Sequence, residues 1–121
     1  MTEQERLALE AALQGVEEPV RPVDGDCGPW TKWVVQALRE ADLPAEARTV
    51  FGLCRAESTV WSSAGPVVLF GHSVALVGTT VVVDFTARQF DADLPARWIT
   101  TVEEYRRQLA TATGADEVVL L

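Results

Sequence analysis

The sequence predicts a single α+β domain in which helices pack on an antiparallel sheet. Three observations predict this class. Apolar residues recur at helical spacing in the N-terminal third of the chain, and β-branched and aromatic residues dominate its middle. Two strongly apolar runs, "PVVLFGHSVALVG" and "TTVVVDFTA", meet at a short turn. At 121 residues, without internal repeats or low-complexity tracts, the chain fits one domain over residues 1–121.

The first two elements are predicted to be helices. Thr2 and Glu5 have the spacing of a capping box, and the apolar pattern predicts an N-terminal helix over residues 1–15. A connection rich in proline and acidic residues follows. Asp26 is then a candidate N-cap, and apolar residues at helical spacing predict a central helix over residues 27–42.

The middle of the chain has the composition and spacing of strands. Extended segments predict a sheet over residues 47–90. Its two apolar runs are joined near Gly78 and Thr79, and a connection this short predicts an antiparallel hairpin. Because both runs are almost continuously apolar, we expect both faces of the sheet to be covered.

The C-terminal segment, residues 100–121, predicts a helix followed by a candidate strand, "EVVLL". Two capping pairs fit the start of this helix. They are Thr100 with Glu103 and Thr101 with Glu104, and the sequence does not choose between them.

Charge and hydropathy exclude several classes of function. Ten basic and eighteen acidic residues give a net charge of -8, which repels phosphate backbones and predicts that the protein does not bind nucleic acid. No apolar run approaches the ~20 residues that cross a bilayer. The N-terminus lacks the basic start and cleavage site of a signal peptide. We therefore expect a cytoplasmic protein that does not bind membranes.

The cysteines and the histidine do not have the spacing of metal ligands. The chain has two cysteines, Cys27 and Cys54, and one histidine, His72, without a Cys-x-x-Cys pair. We therefore expect no metal and no cofactor. In a cytoplasmic protein both cysteines are expected to stay reduced, and Cys54, inside a predicted strand, is interpreted as an inert buried thiol.

Three reactive residues have positions from which they could converge. Cys27 begins the central helix, His72 lies near the start of one hairpin strand, and Asp84 ends the next. Pairing about the turn predicts that His72 lies opposite residue 84 or 85, so that imidazole and carboxylate are neighbours on one face. The alternative to the contact with His72 is a structural hydrogen bond that Asp84 accepts from Thr86 or from a backbone N–H.

This arrangement supplies what a cysteine nucleophile requires. A helix N-terminus and a nearby imidazolium lower the pKa of a thiol, and the backbone N–H groups at that terminus stabilise a developing oxyanion. The sequence therefore predicts Cys27 as nucleophile, His72 as general base and acid, and Asp84 as the group that orients His72.

The same residues carry a resemblance to a known group of enzymes. "GDCGPW" opening a helix and the later "GHSVALVGTTVVVDFTARQF" resemble the papain-like and transglutaminase-like cysteine hydrolases, particularly small bacterial papain-fold domains of toxins, deamidases and peptide-processing enzymes. In these the order is His, an apolar strand, Gly, an apolar strand, then Asp-x-Thr-x-x-Gln-Phe. The matching residues are His72, Gly78, Asp84, Thr86, Gln89 and Phe90. The resemblance implies a papain-like fold, with the cysteine-bearing helix packed on a sheet bearing the triad's histidine and aspartate.

Candidate substrate contacts are Trp30 on the central helix, Trp61 in a loop-like segment, and Gln89. Trp30 alternatively packs in the core, and Gln89 alternatively bonds to backbone and stabilises its turn.

Two classes of function follow. The first is a cysteine-dependent acyl-transfer enzyme acting on an amide or thioester, as a peptidase, glutamine deamidase or transferase. The resemblance implies a peptide or protein substrate, presented by a partner protein. The second is a non-catalytic acidic binding or immunity-type protein that retains the fold, which the charge of -8 also suits.

Overall fold

The computed structural model describes residues 1–54 and 67–121 and confirms the α+β class. Within these ranges three helices pack on a five-stranded antiparallel sheet whose strand order is β4-β3-β2-β1-β5. In chain order the elements are α1 (Glu3–Ala12), α2 (Cys27–Glu40), β1 (Ala45–Cys54), β2 (Val67–Val77), β3 (Val81–Asp84), β4 (Trp98–Thr101), α3 (Val102–Thr113) and β5 (Glu117–Leu120). A short 3-10 turn, Ala87–Gln89, follows β3. No helix in the described ranges is long and apolar enough to cross a membrane.

The N-terminal helix starts as predicted and ends earlier. The Thr2 hydroxyl accepts a hydrogen bond from the Glu5 N–H at 3.1 Å, which caps α1. Helical hydrogen bonding stops near Leu13, whose side chain is buried together with Leu9. These two leucines hold α1 against α2.

The start of α2 differs from the prediction in one respect that matters for chemistry. Asp26 has helical dihedral angles and does not cap the helix with its side chain. Its carboxylate accepts a hydrogen bond from the Val23 N–H at 2.9 Å instead, within the turn that precedes α2. Asp26 is therefore the N-cap residue, as predicted, but its carboxylate does not provide the cap and leaves the first N–H groups of α2, those of Cys27 and Gly28, to other acceptors.

The hairpin forms as predicted, with a different register. Val77 pairs with Val81 across a turn that begins at Gly78, which has a φ of 61°. Extending this pairing puts Asp84 opposite the residue two positions after His72. The expectation that His72 lies directly opposite residue 84 or 85 was therefore wrong, because the turn is longer than the sequence suggested.

The sheet extends beyond the predicted range of 47–90. The candidate C-terminal strand is present as β5, which pairs with β1. A short strand that was not predicted, β4, pairs with β3 and leads directly into α3. Of the two capping pairs, the structure has Thr101 with Glu104: the Thr101 hydroxyl accepts a hydrogen bond from the Glu104 N–H at 3.3 Å.

Each face of the sheet has its own core. We call the face covered by α1 and α2 the α2 face, and the face covered by α3 the α3 face. The α2 face buries Leu9, Leu13, Val34, Val35, Leu38, Ala45, Ala75, Val81, Val83, Phe85 and Ile99. The α3 face buries Val50, Val74, Val82, Ala87, Leu94, Trp98, Tyr105, Leu109, Ala115 and Val118. Because side chains alternate along a strand, His72 and Asp84 both belong to the α3 face.

Candidate functional site

His72 and Asp84 form a buried pair on the α3 face. The distance from His72 Nε2 to Asp84 Oδ2 is 2.8 Å, and each residue is only 2% exposed. The two lie diagonally across the β2–β3 hairpin, a separation that long polar side chains bridge. The predicted contact is therefore present although the predicted register is not.

The Asp84 carboxylate has two further partners. Its Oδ1 accepts hydrogen bonds from the Thr86 N–H at 2.9 Å and from the Thr86 hydroxyl at 3.3 Å. Its Oδ2 also accepts one from the Tyr105 hydroxyl at 2.7 Å. A buried carboxylate is costly unless hydrogen-bonded, and these donors meet that requirement. Both interpretations of Asp84, the bond to His72 and the bond to Thr86, are therefore present together.

The donor and acceptor roles in this cluster follow from its chemistry. Burial, followed by the charge and hydrogen bond of Asp84, raises the pKa of Tyr105 well above its ordinary value. Tyr105 therefore donates. An ionised carboxylate only accepts, so His72 donates from Nε2, and its Nδ1 carries the lone pair when the ring is neutral. That Nδ1 is buried and has no hydrogen-bond partner among residues 1–54 and 67–121.

Cys27 lies close to this cluster without being bonded to it. It is the first residue of α2 and is half-buried. One turn later on the same side of the helix, the Thr31 hydroxyl donates to the Ser73 carbonyl at 3.0 Å, next to His72 in β2. The charge of Cys27 also contributes to the raised pKa of Tyr105. Cys27 is therefore within electrostatic reach of the cluster, but it does not hydrogen-bond to His72 Nδ1.

The pairing between β2 and β3 ends before it reaches His72. α2 lies on the α2 face, whereas His72 belongs to the α3 face. β3 ends at Asp84, and its pairing with β2 begins only at Ala75, so no β3 residue pairs with β2 beside His72. The start of α2 and the imidazole thus lie on opposite sides of an incomplete part of the sheet.

Phe90 and Gln89 lie next to the histidine in different ways. The Phe90 ring makes an edge contact with the imidazole, at 5.0 Å between centroids. Gln89 is half-buried, and its N–H donates to the Thr86 carbonyl. Its side-chain Oε1 is buried without a hydrogen-bond partner in the described part of the chain. The bond to Thr86 comes from the backbone of Gln89 and not from its side chain, so both the turn-stabilising role and the substrate role of that side chain stay predictions.

Trp30 serves as an anchor for the connection between α1 and α2. Its ring nitrogen donates to the Glu17 carbonyl at 2.8 Å, and its ring makes an edge contact with Trp33 at 5.0 Å. These contacts favour the packing interpretation of Trp30, whose substrate role stays a prediction. Trp61 lies outside the described residues.

One cavity along α2 begins at Gly28, the residue that follows Cys27. It holds about 600 Å³ and runs between α2 and strands β1 and β2. Gly28, Thr31 and Ser73 line the end next to Cys27, and Val35, Ala47 and Arg39 line its continuation.

Cys54 has an environment opposite to the one a nucleophile requires. A hydrogen bond to the Asp116 side chain, together with burial and the charge of that carboxylate, raises the pKa of its thiol. The interpretation of Cys54 as an unreactive thiol is consistent with this environment, although the residue is only half-buried. Among the described residues, no three His, Cys, Asp or Glu side chains are grouped to hold a metal ion.

Tyr105 is the member of the cluster that sequence reasoning missed. It is the only tyrosine of the chain and is 1% exposed on α3. Its helical spacing with Leu109, which is also buried, indicates an inward-facing position. Only the placement of α3 over β3 shows that its hydroxyl meets Asp84.

Comparison with known proteins identifies no relative: no family model, no curated protein and no solved structure matches this chain. The interpretation of the site therefore rests on its geometry.

Proposed function

We propose that this protein is a cysteine-dependent acyl-transfer enzyme of papain-like architecture, with Cys27 as nucleophile, His72 as general base and acid, and Asp84 as the group that orients His72. The observation that carries the proposal is the buried His72–Asp84 pair, whose remaining ring nitrogen, Nδ1, has no partner among the described residues. This nitrogen has the lone pair that a proton transfer from a thiol requires.

The chemistry proceeds through a thioester. His72 Nδ1 takes the proton of the Cys27 thiol, and the thiolate attacks the carbonyl carbon of an amide or thioester. The N–H groups of Cys27 and Gly28 are donors to the oxyanion at the start of α2. As the intermediate collapses, the bond to the leaving nitrogen or sulfur breaks and the imidazolium gives it the proton. Water or an amine then attacks the acyl-enzyme, His72 takes its proton, and the carbon–sulfur bond breaks to release the Cys27 thiolate.

The reaction requires Cys27 to come within hydrogen-bond distance of His72. In unliganded sites such contacts are often long, and they tighten when substrate binds. Cys27 is the first residue of its helix, and its neighbour Gly28 leaves open space around the backbone. The proposal therefore needs the Cys27 thiol to move toward His72 when substrate binds.

The groove along α2 is the natural site for the acyl donor, because it starts beside Cys27 and combines apolar with polar lining. A groove of this size accommodates a peptide end or a single side chain. We accordingly propose a cytoplasmic peptide or protein substrate, presented by a partner protein.

Site-resolved alkylation tests the proposal, and the chain supplies its own reference thiol. Wild-type protein and His72→Ala are treated with iodoacetamide from about pH 5 to about pH 9, and modification of Cys27 and Cys54 is quantified by mass spectrometry. We expect Cys27 to react at least about 10-fold faster than Cys54 near pH 6, because only a thiolate attacks. His72→Ala should abolish that advantage while leaving the rate at Cys54 unchanged.

Equal alkylation rates at Cys27 and Cys54, unaffected by His72→Ala, would contradict the proposed enzymatic function. They would favour the second candidate, a non-catalytic acidic binding protein. The observation that favours this candidate is the missing hydrogen bond between Cys27 and His72. In that case the His72–Asp84 pair is a structural element of the core, and the next experiment is a search for a basic partner.

A further inference from the structure

The groove along α2 carries positive charge, although the chain as a whole has a formal net charge of -8. Lys32, the only lysine of the chain, and Arg39 both line this groove and are exposed. Within residues 1–54 and 67–121, neither of these cations forms an ion pair, whereas four other exposed arginines do. Those pairs are Arg48–Glu46, Arg97–Glu18, Arg106–Glu117 and Arg107–Glu104. The groove therefore offers cations that no carboxylate of the described chain pairs with.

The edge of β1 beside this groove has backbone groups to which no strand is paired in the described chain. The Ala45 carbonyl accepts from the Arg39 side chain at 2.8 Å, and the Thr49 carbonyl accepts from a backbone N–H just after β5 at 2.9 Å. Both carbonyls lie on the side of β1 away from β2. Because backbone groups alternate in direction along a strand, the N–H and C=O of Ala47 lie on that side too. β5 pairs with β1 only over residues 50–53 and stops short of Ala47.

We propose that the groove binds an extended peptide bearing a carboxylate, which pairs with the Lys32 ammonium while the peptide backbone hydrogen-bonds to Ala47. A free strand edge accepts a further strand through main-chain hydrogen bonds, and side-chain contacts then supply selectivity. One exposed ion pair is a weak anchor, so the two contacts act together. This binding mode rests on the proposed function only in making the peptide the acyl donor, since binding requires no chemistry at Cys27.

The spacing along α2 sets where the carboxylate lies. Lys32 follows Cys27 by five residues, which corresponds to about 7–8 Å along a helix. An extended peptide advances about 3.3 Å per residue, so the carboxylate lies about two residues from the reacting acyl group. Glu40 lines the groove further along α2, where Gln36 donates to its carboxylate at 3.3 Å. A negative group is disfavoured there, and the end of the groove next to Cys27 is therefore the one that selects the acid.

Selection from a peptide library tests this binding mode. Short peptides of randomised sequence with amidated C-termini are captured on immobilised protein, and the bound peptides are sequenced by mass spectrometry. All proteins carry Cys27→Ser, so that no peptide is consumed. We expect Glu and Asp to be enriched about threefold at one position, the discrimination that an exposed ion pair supplies. Lys32→Gln should abolish the enrichment, and Lys32→Glu should replace it with enrichment of Lys and Arg.

Arg21→Gln is the matched control, because it removes the same charge from an exposed residue that does not line the groove. It should leave the enrichment unchanged. A second library with free C-termini separates two sources of the carboxylate. Enrichment of Glu and Asp in both libraries identifies a side chain, whereas capture of the second library alone, dependent on Lys32, identifies the chain end.

The strand pairing has its own measurement in the selected peptide. N-methylation of one residue at a time removes one main-chain donor, and binding should fall at the residue opposite Ala47 but not at its two neighbours, whose N–H groups point away. Equal tolerance of N-methylation at every position would exclude pairing at this edge.

The binding mode is overturned if the wild-type groove shows no preference for acidic peptides. A preference that survives Lys32→Gln, or that Arg21→Gln weakens equally, overturns it as well. Failure of the proposed function looks different: acidic peptides are captured with the same dependence on Lys32, while Cys27 of the wild type alkylates no faster than Cys54. A reactive Cys27 without this capture contradicts the binding mode alone.

Discussion

The two faces of the sheet are built on different principles. The α2 face has an almost wholly apolar core. Among the described residues, two side chains of α2 donate hydrogen bonds to backbone carbonyls of the sheet: Thr31 to Ser73 and Arg39 to Ala45. The α3 face instead buries the carboxyl group of Asp84, which His72, Thr86 and Tyr105 all contact through hydrogen bonds. Packing alone therefore accounts for one face, whereas the other depends on hydrogen bonds whose loss is expensive.

This difference indicates that the α3 face is the better candidate for a catalytic function. A buried carboxylate with every oxygen satisfied is costly to assemble, and hydrophobic residues of similar volume often stabilise such a site equally well. The α3 face also leaves His72 Nδ1 without a partner in the described chain, which packing does not explain. Cys27, the proposed nucleophile, begins the helix that covers the other face, so the proposed activity requires the two faces to meet where β3 ends.

The largest expected effect is a difference in stability between variants of two adjacent residues, Asp84 and Val83, whose side chains lie on opposite faces of the sheet. Asp84→Ala leaves His72 and Tyr105 buried without their acceptor, and we expect it to lower the free energy of unfolding by about 3–5 kcal/mol. Val83→Ala, which removes apolar volume from the α2 face, should cost about 2 kcal/mol. Urea denaturation measures both. Equal losses would mean that the two faces do not differ as described, and Asp84→Asn, which keeps the volume, should fall between them.

The next largest effect is a dependence of the unfolding free energy on pH, caused by Tyr105 on the α3 face. The pKa of Tyr105 is raised in the folded protein, chiefly by burial, so the unfolded chain ionises first as pH rises. This contribution to stability is complete below the unfolded pKa near 10 and is then lost at up to about 1.4 kcal/mol per pH unit. We expect unfolding free energies above about pH 10 to fall more steeply in the wild type than in Tyr105→Phe.

Phenolate absorbance supplies the control for this pH dependence. Because the chain has one tyrosine, its ultraviolet signal should appear together with alkaline unfolding and not before it. A phenolate that forms at its ordinary pKa in the folded protein would show that Tyr105 is not held as a buried donor.

A smaller effect concerns the hydrogen bond from the Thr31 hydroxyl to the Ser73 carbonyl on the α2 face. Thr31→Val removes the donor to the Ser73 carbonyl with little change in shape, and we expect a loss of about 1 kcal/mol. The same variant should slow alkylation of Cys27 by loosening the start of α2 against β2. Thr111→Val is the matched control, since its hydroxyl bonds only within α3 at an exposed position. Equal behaviour of the two variants would argue against a positioning role for Thr31.

The smallest effect is a gain in stability. Gly28 lies inside α2, and a Cβ there would meet no atom of the described structure within 4 Å. Gly28→Ala should therefore stabilise the protein by about 0.5–1 kcal/mol, because glycine costs more backbone entropy in a helix than alanine. If this residue also borders the substrate groove, as proposed, activity should fall while stability rises. A loss of stability would show that the backbone at the helix start is not helical in solution.

Several features of the site could be predicted from local sequence. Helical periodicity placed Cys27 at the start of α2, and the two apolar runs placed His72 and Asp84 on adjacent strands. Asp26 is the N-cap residue as predicted, but its side chain does not provide the cap because its carboxylate has a competing acceptor role in the preceding turn, where it bonds to the Val23 N–H. The spacing of a capping residue is visible in a sequence, but the choice between two nearby donors depends on backbone geometry.

The α+β class, the helices and the hairpin are predictable from the sequence alone, because periodicity and turn composition are local properties. The same local patterns placed Cys27 at a helix start and His72 and Asp84 on adjacent strands. Tertiary structure decided the rest. The turn length set the register of the hairpin, the docking of α3 added Tyr105 to Asp84, and strand alternation put His72 on the face opposite α2. These outcomes depend on contacts between residues far apart in the chain, and no pattern within one segment encodes them.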